Sequence, residues 1–402
     1  MSTNITVNTK GQINDKRKDN NGIHKVIYSL KPLFIFEHIF GVFRFCIKNN
    51  DMIATDWRVK GFGLFLAMIS AGTFGSFLLN YTPITEIKTI ASLIGILEFS
   101  SSILCYILYI AVVIIHLLWR NAENIRIVSN FAEIDSRLNL TLMENFYKTT
   151  RRYNYTIIFA TLVLNSVYFV LYSLSRNITN YIYFYIVGSI YTLHDVEILF
   201  VCVLVHMLKV RLVIINNSLD RLVKENEKKH KAFATTIRQD KMETKLHELS
   251  QVYDVIGETS RLINNLYNFQ IFMSLISTFI NVLLSIWVLL YSFQKEMIIV
   301  DLILSIGWSG IKLFYLLVLS LVCDGLLSVR GQTKVLVNEL VMDYDLLPNA
   351  RAQAKAFTQL IEARPLTIHV YDMFTVDITL MLKFISVSTT YLIIIIQITN
   401  FV

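Results

Sequence analysis

Three groups of residues in this chain could do chemistry that an apolar setting makes consequential. His194, Asp195 and Glu197 place an imidazole and two carboxylates within one helical turn of an otherwise apolar run. Such a trio can hold a buried cation, join a hydrogen-bond network or touch a polar ligand. It cannot surround a metal, because one short neighbourhood without a His-x-x-x-His pair offers too few directions of approach. Thr390, Ile394 and Gln397 recur at steps of four and three among isoleucines, so a helix puts them on one stripe, with Ile398 beside the amide. An amide in hydrocarbon is penalised, so Gln397 is expected to face water or protein.

The third group is dispersed. Glu98, Asn165, Tyr168, Tyr191 and Asn281 stand in apolar runs, as do Trp287, Asp301, Ser305 and Trp308. Aromatic walls with a few polar groups are what small-molecule sites need, and these residues are the candidates for such a pocket. Glu98 and Asp301 are the stronger pointers, because a carboxylate against lipid must find a cavity or a partner. Tyrosines in membrane helices also serve as interface anchors, and Tyr181, Tyr183 and Tyr185 read equally well as an aromatic belt. For the His194 trio the bland alternative is an interhelical network with Lys312 as the partner.

These residues need elements to position them, and composition says which. The chain is 54% hydrophobic and 17% charged over 402 residues, which is outside the globular balance and fits a membrane protein. Seven stretches are apolar enough to cross a bilayer as helices: Phe62 to Tyr81, Thr89 to Trp119, Tyr155 to Leu174, Tyr181 to Leu208, Phe269 to Phe293, Met297 to Val322 and Ile378 to Val402. Pro32, Pro83, Pro348 and Pro365 fall outside all of them. The expected fold is an all-α bundle of seven transmembrane helices.

Of the 37 Lys and Arg residues, 32 fall in the N-terminal segment and the loops after the second, fourth and sixth spans, and the alternate loops hold only Lys88, Arg176 and Lys295. The positive-inside rule then puts the N-terminus in the cytoplasm and the C-terminus outside. The formal charge of +7 is thereby a topology signal, and no nucleic-acid partner is expected. G-protein-coupled receptors have the opposite orientation, and the chain has neither Asp-Arg-Tyr at the third helix nor Asn-Pro-x-x-Tyr in the seventh. The opening 25 residues carry no apolar core, so the first span is expected to act as the insertion signal. Four cysteines in spans or on the cytosolic side give no disulfide framework.

The segments are expected to run 1–61 (cytoplasmic, with an interfacial or re-entrant helix), 62–208 (spans one to four), 209–268 (cytoplasmic helical anchor), 269–322 (spans five and six), 323–377 (cytoplasmic loop and inner half of helix seven) and 378–402 (helix seven). In the first, Leu30 to Ile47 is too charged to span, and Arg44 and Lys48 are expected to snorkel toward headgroups. In the anchor, Val210 to Leu222 reads as a helix closed by the charged turn Lys224 to Lys231. Leu246, Leu249, Tyr253, Ile256, Ser260, Ile263 and Tyr267 follow as a heptad seam running into the fifth span. Ala352, Ala356, Phe357, Leu360 and Ile361 mark another amphipathic helix, stopped by Pro365. Asp377 sits where a helix begins, and a carboxylate there is favourable.

The terminal run Thr390-Tyr391-Leu392-Ile393-Ile394-Ile395-Ile396-Gln397, with Phe374-Thr375-Val376-Asp377 before it, resembles the signature of insect gustatory receptors; Ile398 stands where that family has an aromatic residue. Ser29-Leu30-Lys31-Pro32-Leu33-Phe34, Trp308 and Cys323 extend the likeness, which covers essentially the whole chain. The resemblance implies a ligand-gated, nonselective cation channel of four subunits, or a heteromer with related receptors, in the plasma membrane of sensory neurons. It also implies that the seventh helix lines the pore, with Thr390, Ile394, Gln397 and Ile398 at the gate, and that the cytosolic helices join the subunits. The ligand is then a small-molecule tastant, with bitter or deterrent compounds favoured over sugars; a metabotropic receptor or a co-receptor subunit without its own pore is the alternative. No catalytic residue, metal or cofactor is expected, since a seven-span hydrolase of this orientation would need histidines that the seventh span lacks.

Overall fold

The computed structural model describes residues 9–48, 51–81, 90–140, 144–175, 181–229, 237–294, 299–344 and 346–400. The side chains of Lys48, Glu98, Asp301 and Ile398 lie outside that description, although their backbones belong to regular elements. Helix α1 (Thr9–Ile39) leads into a two-stranded hairpin, β1 (Cys46–Lys48) and β2 (Asp51–Ile53). Then come α2 (Trp57–Tyr81), α3 (Ile90–Ile114) with a π-helical turn at Ile115–Trp119, α4 (Asn121–Arg137), α5 (Glu144–Ser175) and α6 (Tyr181–Lys229). Helices α7 (Ile237–Gln294), α8 (Ile299–Met342) and α9 (Pro348–Ala363) follow, with a short hairpin, β3 (His369–Val370) and β4 (Phe374–Thr375), before α10 (Ile378–Asn400).

Among the described residues, 6 helices are long and apolar enough to cross a membrane, α2, α3, α5, α6, α7 and α8, and the apolar run Ile378–Ile394 in α10 is shorter. Helix α6 is apolar nearly all round its middle and is accordingly the central post, packed against α8, α7, α5 and α3. Helices α2 and α5 turn Phe62, Phe65, Phe159 and Val163 outward, as a lipid-facing surface should. Expected borders at residues 208, 268 and 322 fall inside continuous helices, so they mark where a helix would leave a membrane, not where it stops.

Several expectations need correction. The charged first stretch does not run as a helix from Leu30 to Ile47: α1 starts earlier, carries Pro32 within it and ends at Ile39. There Gly41, at φ 78°, turns the chain so closely over α2 that a Cβ on Gly63 would lie 2.7 Å from the Gly41 carbonyl oxygen. The turn carries Arg44 inward, where it is 2% exposed; it does not snorkel, because buried acceptors await it. Val210 to Leu222 is helical as expected, within α6, but the helix continues through Lys229, so the charged turn does not begin at Lys224, and the rest of that turn lies outside the described residues.

The heptad seam forms as spaced but is used within the chain. Leu246, Tyr253, Ile256, Ile263 and Tyr267 are each 0% exposed, covered by α4, α8 and α9, and Tyr253 donates its hydroxyl to the Arg364 carbonyl at 2.9 Å. It is a core of the single chain and offers no apolar surface to another copy. Helix α9 starts at Pro348, where proline suits the first turn, and buries Ala350, Ala354, Phe357 and Ile361; the expected Ala352 and Ala356 are exposed.

Candidate functional site

Three helices converge on Trp308. One face of α5 supplies Asn165, Tyr168 and Phe169, α6 supplies Tyr191 and Asp195 one turn apart, and α8 supplies Trp308 and Lys312 at the same spacing. The Tyr168 ring stacks on Trp308 at 4.5 Å between centroids, Phe169 tilts against it at 5.6 Å and Tyr191 meets it edge-on at 5.4 Å. Gly188 makes this packing possible, because a Cβ there would sit 2.9 Å from the Phe169 ring. The Lys312 ammonium lies 4.2 Å above the Trp308 ring and 5.5 Å from that of Tyr191. It closes on the Asp195 carboxylate at 2.6 Å, with both side chains nearly inaccessible.

The rest of the box is hydrogen-bonded in kind. Asn165 donates to Asp195 at 2.9 Å, and the Tyr191 hydroxyl donates to Ser102 of α3 at 2.7 Å. The Asn165 side-chain oxygen is left without a partner. Of the expected pocket residues, the structure brings Asn165, Tyr168, Tyr191 and Trp308 together. Asn281 and Ser305 belong to a separate strip: Ser101 of α3 donates to the Asn281 oxygen at 3.2 Å, and Ser285 joins Ser305 and Ser309 of α8 at 3.2 and 2.6 Å. That strip stitches α3, α7 and α8 and consumes its own polar capacity. Trp287 is half-buried on α7, and the described aromatic contacts of Trp308 come from other residues. Glu98 and Asp301 are helical, and nothing further follows about their side chains.

The His194 trio divides three ways. Asp195 takes Lys312, the Ser274 hydroxyl bonds the His194 ring at 2.8 Å, and Glu197 accepts from Arg44 at 2.8 Å. Arg44 is the hub that sequence reasoning missed. Its guanidinium grips Glu37 through two bonds of 2.7 and 2.8 Å, donates to the Tyr267 hydroxyl at 2.7 Å and reaches His116 at 3.1 Å, so α1, α6, α7 and the π-turn meet on one side chain. The π-turn widens the helix where His116 must point inward. A second buried pair, Arg211 with Asp135 at 2.7 Å, ties α6 to α4, and Tyr147 of α5 donates to the same carboxylate at 2.6 Å. Charged residues in apolar runs were the available signal for both hubs; which partners they would find was not.

Helix α10 leans on α7 and α8 alone among the helices it packs against closely, through Leu380, Phe384 and Ser388. Tyr391 lies against Phe279 of α7 at 5.4 Å, as its position off the stripe suggests. Thr390, Ile394 and Gln397 are uncovered in the single chain, on a side of the helix away from that contact. Asp377 caps the helix, its carboxylate accepting from the Thr379 backbone at 2.9 Å and the Thr379 hydroxyl at 2.5 Å. Slight burial works the other way, but those hydrogen bonds hold the Asp377 carboxyl below its ordinary range. Nearer the α4 and α9 end, a cleft of about 840 Å³ opens between α5, α6 and α8, lined by Asn145, Tyr153, His206 and Phe314 among others.

Residues 30–399 match the 7tm Chemosensory receptor family. Among solved structures, the insect olfactory receptor OR5 from Machilis hrabei, determined in complex with eugenol, shares the fold with a TM-score of 0.58 and 13% sequence identity, covering 92% of this chain and 97% of that one. Comparison with curated proteins finds no match.

Proposed function

The chain belongs to the 7tm Chemosensory receptor family, and on that premise we propose that it is a gustatory receptor acting as a tastant-gated nonselective cation channel. The observation that carries the reading is α10: an apolar helix with a polar stripe, Thr390 to Gln397, that its own chain leaves uncovered. A hydrogen-bonding stripe facing lipid is unstable, and copies arranged around a symmetry axis turn it toward a common water-filled path. Isoleucine rings at Ile394, and at Ile398 beside them, close such a path by dewetting, while the amides of Gln397 hydrate a passing cation. Four subunits, a cytoplasmic N-terminus and an outward-opening ligand site complete the proposal.

The box around Trp308 is the proposed tastant site. Its walls are rings and its ion pair is internally satisfied, so it favours a flat, apolar ligand with one donor for the free Asn165 oxygen. A sugar would need many open hydrogen-bond partners, and the Asn281 strip has spent its own. Bitter or deterrent compounds therefore suit it better than sugars. A ligand displacing Tyr168 from Trp308 would loosen Lys312 above the ring and shift α8, against which α10 packs.

The test is agonist-evoked current from the chain expressed alone in a heterologous cell, with alkaloids against sugars. Cation current to alkaloids is the expected result. A ligand response without current in a reconstituted bilayer would instead assign a metabotropic or co-receptor role.

A further inference from the structure

The cleft of about 840 Å³ between α5, α6 and α8 changes character along its length. Ala160, Leu164, Leu199 and Val318 make one end apolar, whereas Thr149, Tyr153 and His206 bring polar groups to the other, and none of its lining residues is a carboxylate. Its direction is fixed by the bonds beyond each end: Asn165 to Asp195 past the apolar end, and Tyr147 and Arg211 sharing Asp135 past the polar one. Exposed Tyr153 and Phe314 stand on its rim, so it opens sideways toward the surroundings of the bundle. On α5, Arg151 and Arg152 beside exposed Tyr153 and Tyr155 mark a headgroup level. From Tyr153 to Leu164 the helix rises about 16 Å, close to half of a roughly 30 Å hydrocarbon core. The apolar end is therefore one leaflet deep.

The polar end carries a cation. Gly325 lies three residues past the cleft residue Val322 and so on the same face of α8, and a Cβ on it would sit 2.7 Å from the Lys209 ammonium nitrogen. Lys209 is partly buried, and no carboxylate pairs with it among the described residues. His206 is three residues before it on α6 and neighbours it. We infer that the cleft binds an anionic glycerophospholipid of the surrounding bilayer, with an acyl chain along Ala160, Leu164 and Val318 and the phosphate and charged headgroup at Lys209 and His206. A sterol or other neutral lipid would cover the walls and leave the ammonium without a counter-charge. A peptide would bring backbone groups that the apolar end cannot satisfy. With the cytoplasmic N-terminus proposed above, the polar end lies in the cytoplasmic leaflet, where anionic lipids gather.

Native mass spectrometry of the purified full-length protein tests this, counting lipids retained from mixed micelles that hold equal amounts of dioleoyl phosphatidylserine and dioleoyl phosphatidylcholine. The parent should keep the serine lipid over the choline lipid by about fivefold. Lys209→Met preserves the aliphatic stem and breaks no ion pair within the chain, and it should bring the ratio close to one; Lys209→Arg should restore it. Arg58→Met, at an exposed position of α2 away from the cleft, should behave as the parent does. Ala160→Trp should fill the apolar end and lower retention of both lipids. Equal retention of the two lipids by the parent overturns the site. So does a preference that falls as far in Arg58→Met as in Lys209→Met, which would assign it to diffuse surface charge, and so does undiminished retention in Ala160→Trp. Should Lys209→Met fail to fold, Ala160→Trp against Arg58→Met decides.

Discussion

Lys312 serves Asp195 and Trp308 from a single atom: its ammonium nitrogen is 2.6 Å from the carboxylate of one and 4.2 Å from the ring centre of the other. The ion pair therefore fixes the height of the cation above the aromatic floor. Anything that lifts the ring or screens its face changes the position of a charge that membrane burial makes costly to leave alone.

Breaking that pair from one side should be worse than removing it. Lys312→Met leaves Asp195 uncompensated and is expected to destabilise the protein by about 3–5 kcal/mol, seen as lost folded yield and a lower melting midpoint. The double variant with Asp195→Asn should recover most of the loss. A double variant as unstable as the single one would show that Lys312 matters through packing alone.

Trp308→Ala removes the stacking floor and should shift the agonist response to roughly tenfold higher concentration, with reversal potentials of the open channel unchanged. Gly188→Ala tests the same box from behind, by forcing the Phe169 ring to move. Altered ion selectivity in either variant would place these residues in the permeation path.

For the final helix, Gln397→Ala is expected to change resting leak or cation selectivity while surface expression is retained. Tyr391→Phe, packed on Phe279, should leave permeation alone. Single-channel recordings of both variants check the assignment, and the reverse pattern would mean that the wrong face of α10 has been assigned to the pore.

The seam gives a prediction about folding, not assembly. Ile256 and Ile263 are fully buried in their own chain, so Ile256→Ala should cost about 2–5 kcal/mol of stability. Loss of all folded species on a native gel is expected. A stable folded monomer appearing in place of a larger assembly would return this surface to the subunit interface.

At Asp377 the sign follows from its depressed pKa: the cap is fully effective above the unfolded-state value and is lost as pH falls through the lower folded one. Asp377→Ala should therefore destabilise α10 by about 0.5–2 kcal/mol equally at pH 6 and pH 8. A difference that changes between those two values would point to another titrating group.

Much of this architecture was legible because lipid is a strict solvent. Long apolar runs predict helices where α2, α3, α5, α6, α7, α8 and α10 lie, and the sequence offers Lys312 as a partner for the His194 trio. Pairings over long separations were not legible. Arg44 reads locally as a headgroup anchor, and only the turn at Gly41 brings it to Glu197 and Tyr267, more than a hundred residues away. The seam from Leu246 to Tyr267 was correct in register and misread in purpose, since a heptad pattern does not say whether the covering surface belongs to the same chain. Asn281 shows the same limit: its residue type is legible in the sequence, whereas its partners Ser101 and Ser309 come from other helices.

The 58 residues of α7 form one unbroken helix, about 87 Å long at 1.5 Å per residue, or nearly twice a bilayer of roughly 45 Å. Such a rod has a mechanical advantage. A tilt of ~5° near its middle moves each end by about 4 Å, close to a full helical rise of three residues. Tilting α7 at one end thus moves the covered seam at the other, as a lever does, and the stiffness of that rod sets how little motion suffices.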